Sequence, residues 1–216
     1  MGRLGVVGGN ATRGVDFDAP AWEAIDRHGG AAYVLPHSID HEANMRRLAE
    51  AGCDRVLAIG SVGGLQPQLG PGTFVCPDDF AAWAPTPSTR KGREAHAVRG
   101  FSAEWRARVR DQWAERCRPT LVDGGVYCQT VGPRLETEAE VRALARDGDV
   151  VGMTLASECV VASELGLDYA AVCVVVNYAN GVGEEPLSRA EVQRGEAESR
   201  EALAAALDAL LPALAD

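Results

Sequence analysis

Short apolar runs and amphipathic stretches take turns along this chain. Leu4 to Val7 is an apolar run of strand length that ends in Gly8-Gly9. Ala43 to Gly52 carries Met45, Leu48 and Ala49 at helical spacing, with Gly52 as a C-terminal stop. Arg55 to Ile59 predicts a buried strand that runs into a glycine-rich turn, Gly60-Ser61-Val62-Gly63-Gly64. Thr73 to Cys76 reads as a short strand, Ala103 to Cys117 as a helix of alternating charge, and Leu121 to Cys128 as a strand region. Thr137 to Asp147 predicts a helix with Thr137 as N-cap and Glu140 three residues on, a capping box. Val150 to Met153 is a strand, and Ser157 to Leu165 a helix stopped by Gly166. Tyr169 to Val176 is the most strand-like run, and Ser188 to Leu211 an alanine-rich helix.

Strand, glycine turn and helix in repetition predict an α/β fold. The expectation is a single domain over residues 1–216, with a central mixed, mostly parallel sheet flanked by helices. Such sheets bind ligands at the carboxyl ends of their strands. The polar turns after Val7, Ile59, Cys128, Met153 and Val176 all fall at such ends. Trp83 to Gly100, irregular near Pro85 and Pro87 and bearing a Lys/Arg cluster, is the one long loop.

Composition narrows the choices. A chain of 216 residues buries roughly 70% of its unfolded surface and needs no disulfide or metal for stability. The six cysteines are scattered without C-x-x-C spacing or a histidine at ligand distance, which predicts free thiols and no metal site. No apolar run approaches membrane-spanning length and no leader pattern opens the chain, so the cytoplasm is the expected location. A net charge of −10 argues against nucleic acid or an anionic membrane as partner. A phosphate-bearing ligand would then need local positive charge, for which Arg27 and Arg134 have suitable contexts.

Several polar groups can carry chemistry, each beside a plainer reading. Gly8-Gly9-Asn10 can offer backbone N–H groups to an anion or be a tight turn. Arg27-His28 can grip phosphate oxygens or be a solvated turn. Gly60 to Gly64 can line the same anion with the Ser61 hydroxyl, or serve close packing of strand on helix. Glu136 near a helix N-terminus is favoured by the dipole, or accepts hydrogen bonds from N1–H of a 6-oxopurine. Asn177, past the most buried strand, can cap that strand or meet O6 and N7 of the same base. Met153 can be core packing or a floor for a sugar.

Gly125-Val126-Tyr127, Thr130 with Gly132-Pro133-Arg134-Leu135-Glu136-Thr137, Val151-Gly152-Met153-Thr154, Glu158 and Leu165 to Ala170 resemble the trimeric purine nucleoside phosphorylase and methylthioadenosine phosphorylase family. Arg27-His28-Gly29, Leu35-Pro36-His37, Ile39, Ala43-Asn44 and Gly63-Gly64-Leu65 fit the same pattern in order. The resemblance implies a nucleoside phosphorylase fold and phosphorolysis of a purine nucleoside. Inorganic phosphate is the co-substrate, with no other cofactor. It implies phosphate contacts at Gly9, Asn10, Arg27, His28, Ser61 and Thr154, and nucleoside contacts at Gly60, Ser61, Tyr127, Leu135, Met153 and Thr154. Glu136 and Asn177 act on the base. His96 matches a residue that reaches the 5′ end of the sugar in a neighbouring subunit, in a homotrimer or a hexamer. Adenine-preferring members carry aspartates at the positions of Asn177 and Ala179 and lack a carboxylate at that of Glu136. The resemblance therefore points to inosine, guanosine or a 5′-modified analogue such as methylthioinosine.

The departures from that pattern gather in the N-terminal third. The loop after the first strand reads Gly8-Gly9-Asn10-Ala11 where Gly-Gly-Ser/Thr-Gly is usual, and several tens of residues before Arg27 are missing. A histidine is replaced near Ala32, Asp40-His41-Glu42 stands for Asn-Tyr-Arg, and Gly60 for a threonine or asparagine. Val131 replaces a glutamate and Ser157 a proline. These changes touch the phosphate side and leave the base side whole. A hydrolase that uses water, and a non-catalytic nucleoside-binding protein, remain as alternatives.

Overall fold

The computed structural model describes residues 2–30, 34–83, 86–184 and 186–216. The expectations placed on Ala32 and Pro85 lie outside them. The elements in chain order are β1 (Arg3–Gly8), β2 (Trp22–Asp26), α1 (His41–Glu50), β3 (Cys53–Gly64), β4 (Phe74–Cys76), β5 (Asp79–Ala82), α2 (Ala103–Arg116), β6 (Leu121–Asp123), β7 (Val126–Gln129), α3 (Glu138–Leu144), β8 (Val150–Gly152), α4 (Leu155–Glu164), β9 (Asp168–Tyr178) and α5 (Arg189–Ala215). The strands form one sheet with the path β5-β7-β8-β3-β9-β4-β6, and β1 joins β2 to β3.

The sheet is the mixed, mostly parallel one that the alternation predicts. β2, β1, β3 and β9 run parallel to one another. β5, β7 and β8 are parallel among themselves, and β8 meets β3 antiparallel through Gly63–Val151 and Gly64–Val150. That junction turns one group of strands against the other. It carries the residues after β8 back alongside the end of β3, so the carboxyl ends of both groups converge on one seam.

β9 is buried on both faces, and its side chains alternate between two cores. Tyr169, Ala171, Cys173 and Val175 pack with Met45, Leu48, Leu155 and Cys159 of α1 and α4. Ala170, Val172, Val174 and Val176 pack with Trp105, Val109, Trp113, Leu203 and Leu207 of α2 and α5. A smaller cluster seats α3 on β7 and β8 through Val141, Leu144, Cys128 and Val151. The six cysteines are free thiols, five of them buried.

Helix ends follow local chemistry. The Asp40 side chain caps α1 by accepting from the Ala43 amide at 2.9 Å. Thr137 caps α3 in the capping box expected with Glu140. Ser188 caps α5. Gly124 and Gly125, at φ 87° and 107°, divide the strand region expected over 121–128 into β6 and β7.

One expectation is corrected, and two strands and a loop contact are added to the picture. The glycine-rich turn after Ile59 is strand: β3 continues to Gly64, and none of its glycines has positive φ. They serve close packing. A Cβ on Gly60 would lie 3.0 Å from Leu155 Cδ1, and one on Gly64 would lie 2.0 Å from the Leu69 carbonyl oxygen. β2 and β5 were not expected. β5 has no β-branched residue and only partial burial, and β-propensity gives it no signal. Finally, the described part of the 83–100 loop is pinned to the C-terminal end of α4. Glu164 accepts from Ser88 Oγ at 2.7 Å and from the Thr89 amide at 2.6 Å, and Arg90 donates to the Glu164 carbonyl.

Among the described residues no helix is long and apolar enough to cross a membrane.

Candidate active site

A cavity of about 620 Å³ opens where the two strand groups converge. Its walls come from the ends of β3, β7, β8 and β9, from the turns after β1 and β2, and from the first turns of α5. Of the residues singled out in the sequence, Asn10, Arg27, His28, Gly60, Ser61, Tyr127, Leu135, Glu136, Met153, Thr154 and Asn177 line it. Chain segments far apart in sequence therefore reach one site, and its polar groups separate into two ends.

At one end, Glu136 is 8% exposed. Its Oε1 accepts from the Thr130 hydroxyl at 2.5 Å, which orients the carboxylate and leaves Oε2 for a ligand. Asn180 Nδ2 donates to the Glu136 carbonyl at 3.3 Å. Asn177 lies at the end of β9, with its amide nitrogen on the Tyr178 carbonyl at 2.7 Å. That contact holds the side chain at the wall and leaves the amide oxygen and a second N–H to meet a ligand. The Met153 sulfur packs against Gly132, where an added Cβ would lie 2.5 Å away. Apolar Val151, Leu135 and Ala179 complete this end.

At the other end Arg27 is 5% exposed. Its Nε donates to Glu158 Oε1 at 2.7 Å, Nη2 to Oε2 at 3.1 Å, and Nη1 to the Ile59 carbonyl at 2.8 Å. Two of its five N–H groups are left for a ligand. Glu158 is fully buried and also accepts from the Tyr169 hydroxyl at 2.8 Å. Burial works against both charges, but their attraction and paired hydrogen bonds outweigh it. The Arg27 pKa is raised and the Glu158 pKa lowered. His41, with Nδ1 at 3.8 Å from Glu158, has its pKa lowered by burial. Burial, and then Arg27, lower the pKa of His28. The Thr154 side chain makes no cap bond to α4, and the residue lines the cavity.

Some expected contacts take a different form. Gly9 does not line the cavity: its amide donates to Thr12 Oγ1 at 2.9 Å, and a Cβ there would lie 2.5 Å from Arg27 Nη1. It makes room for Arg27 and offers no N–H to an anion. Arg134 does not line this cavity; it is exposed, with Nη1 and Nη2 donating to Glu140 at 2.8 and 2.7 Å. Tyr127 reaches the wall as a cap, its buried hydroxyl accepting from the Thr154 and Leu155 amides at 3.1 and 3.3 Å. His96 is exposed and outside the cavity of its own chain. Its loop is fastened at the far end of α4 from Thr154, about 15 Å along a helix of this length.

Sequence reasoning missed Thr130 as the partner of Glu136, Glu158 as the partner of Arg27, and Arg13, Arg189, Gln193 and Glu196 as lining residues. Thr130 and Glu158 stood inside quoted motifs. The α5 residues carry no local signal, because only the packing of the helix brings them to the sheet.

Known proteins agree with this architecture. Solved structures of a methylthioadenosine phosphorylase from Schistosoma mansoni in complex with adenine superpose with a TM-score of 0.75 at 23% identity, over 96% of this chain and 91% of that one. A double mutant of the same protein reaches 0.77 at 24% identity. The 6-oxopurine nucleoside phosphorylase of Pyrococcus furiosus is 36% identical over 183 residues, 78% of this chain and 68% of the relative. The "Probable S-methyl-5'-thioinosine phosphorylase" of Xanthomonas campestris is 38% identical over 177 residues, 78% of this chain and 70% of the relative. The "Probable 6-oxopurine nucleoside phosphorylase" of Archaeoglobus fulgidus is 35% identical over 180 residues, 83% of this chain and 74% of the relative. The phosphorylase superfamily model matches residues 24–212, and the chain belongs to that superfamily.

Proposed function

We propose that this protein cleaves the N-glycosidic bond of a 6-oxopurine nucleoside by phosphorolysis, releasing the free base and a ribose 1-phosphate. The observation that carries this reading is Glu136, buried and aimed by Thr130, facing the same cavity as Asn177. A carboxylate whose free oxygen faces the ligand needs a donor. A 6-oxopurine has one at N1, and adenine does not. Seating adenine there would leave a buried charge unpaired, at a cost of about 1–3 kcal/mol or more.

The reaction exchanges one bond for another. A phosphate oxygen forms a bond to C1′ as the C1′–N9 bond breaks, and the electron pair leaves with the base. Negative charge then grows on the purine ring. The amide of Asn177 donates toward N7 and O6, a contact that strengthens as that charge develops. Met153 lies under the sugar. Arg27, Ser61, Thr154 and His28 hold the phosphate, and Asn10 borders it. His96 completes the 5′ end of a neighbour's sugar in a trimer, consistent with a loop that is fastened away from its own cavity. The cytoplasm is the proposed location.

One observation favours a second reading, hydrolysis by water: Arg27 is already neutralised by Glu158, and the Gly9 amide is spent on Thr12. Base release from inosine, guanosine, methylthioinosine and adenosine, each with and without phosphate, tests both. Phosphate-dependent cleavage with adenosine slowest is the expected result. Adenosine as the best substrate overturns the base assignment, and release indifferent to phosphate overturns phosphorolysis.

A further inference from the structure

His41 is a buried imidazole that phosphorolysis leaves without a task. It opens α1 and is 7% exposed. Its Nδ1 is enclosed and has no hydrogen-bond partner among the described residues. That nitrogen stands 3.8 Å from Glu158 Oε1, just beyond hydrogen-bond reach. A carboxylate has about four acceptor positions. On Glu158, Arg27 Nε, Arg27 Nη2 and the Tyr169 hydroxyl fill three of them. An unpartnered nitrogen thus stands beside a carboxylate with acceptor capacity to spare.

The same carboxylate is the counter-ion of Arg27, which lines the cavity. α1 also holds Arg27 directly, because Asn44 Nδ2 donates to the Arg27 carbonyl at 3.1 Å. Glu158 therefore links a buried imidazole to the anion end. With His41 neutral, Arg27 and Glu158 sum to zero charge. With His41 protonated, the three groups carry one positive charge. Among the described residues, the charged groups that face His41 are Glu158 on α4, Arg27 after β2 and Asp40 at the cap of its own helix. Asp54 and Arg55 on β3 lie past the other end of α1, paired with each other. Burial, and after it Arg27, lower the His41 pKa, while Glu158 and Asp40 pull the other way. The helix N-terminus also disfavours a cation.

On the reading of this cavity as a nucleoside and phosphate site, we propose that His41 is a positioning residue for the anionic co-substrate: when a tetrahedral dianion binds, His41 takes up one proton from solvent, closes on Glu158 and leaves part of the Arg27 charge for the anion. The coupling is reciprocal. The dianion favours the proton on His41, and the proton tightens dianion binding.

Sulfate is the probe, because it stays a dianion where phosphate titrates. Its affinity is measured by calorimetry between about pH 8.5 and about pH 5.5 on wild type, His41→Phe and His41→Gln, neither of which gains the charge. Gln keeps a polar group toward Glu158 and guards against a folding failure of Phe. The ratio of wild-type to variant affinity is expected to rise about three- to tenfold from the top of that range to the bottom. His28 titrates in all three proteins and drops out of the ratio. A merely structural role shifts the affinities by one factor at every pH, so a constant ratio overturns the proposal. In wild type alone, the His41 imidazole followed by NMR is expected to titrate about one pH unit higher under saturating sulfate. An unmoved midpoint also overturns it. Inosine cleavage with and without phosphate separates the proposal from the reading beneath it. Cleavage that needs phosphate, together with a constant ratio, upholds phosphorolysis and removes the role of His41. A ratio that changes with pH, together with cleavage indifferent to phosphate, upholds proton uptake at His41 and removes phosphorolysis. Absence of sulfate binding at every pH overturns the anion end and this proposal with it.

Discussion

The two ends of the cavity are built by different means. The side-chain contacts that orient the base end are local: Thr130 aims Glu136 from six residues away, and Asn177 rests on the next residue's carbonyl. The anion end is assembled across the chain. Arg27 meets Glu158 at a separation of 131 residues, and Glu196 arrives on α5, which packs against β9 in the interior of the sheet. The base end presents a free carboxylate edge. The anion end presents charges that already have partners. A local site keeps its donors and acceptors for a ligand, whereas a long-range site spends much of its hydrogen-bonding capacity on holding itself together.

Breaking the long-range pair has the largest expected effect. Glu158→Ala leaves the Arg27 guanidinium buried without its counter-ion and is expected to cost about 3–5 kcal/mol in urea unfolding. A double replacement, Arg27→Met with Glu158→Leu, recovers most of that stability while phosphate affinity stays lost. A loss below about 1 kcal/mol in the single variant would show that the pair does not hold this end.

The base end responds in rate instead. Glu136→Gln is expected to lower kcat/KM for inosine about 100-fold, because the charge is lost and, with Thr130 donating to the one remaining oxygen, an NH2 group faces N1–H in place of an acceptor, with far less change for adenosine. Equal losses on both nucleosides would remove the contrast with the anion end. Thr130→Val is a smaller cut. It frees Glu136 without discharging it, and about a tenfold drop in kcat/KM for inosine is expected. Unfolding free energy measured on the same variant should move by about 1 kcal/mol, which separates aiming from stability.

The smallest effect lies in pH. The folded chain binds the Glu196 proton more tightly than the unfolded chain does. The stability this group contributes is fully present below about pH 4.5 and is lost as the pH rises through the raised folded value. Because the side chain is only half-buried, solvent screening limits the span to under about 1 kcal/mol. Urea unfolding of Glu196→Gln at several pH values should lack this step, and an unchanged profile would show that the carboxylate is not held as described.

The same contrast explains what the amino-acid sequence makes legible. The alternation of runs locates most of the sheet and all five helices, because each buries an apolar face with its own period. Glu136, Asn177 and Met153 are readable because they sit just beyond those runs. The glycines of 60–64 mislead: glycine signals a turn and a close approach equally, and only Leu155 and the Leu69 carbonyl decide between them. Gly9 misleads in the same way, since the atom it makes room for is Arg27 Nη1. The pairing of Arg27 with Glu158 and the entry of Glu196 are products of tertiary packing and have no local pattern to find.

The Arg27–Glu158 pair also has a consequence for biosynthesis. The chain is made from its N-terminus at about 5–20 residues per second. Arg27 therefore leaves the ribosome several seconds before its carboxylate partner exists, and β1 to β3 emerge with a cation that has no place in a dry interior. Until α4 is made, the first part of the sheet cannot close over that position without burying a lone charge. The final locking of this protein is thereby deferred until most of its chain has been synthesised.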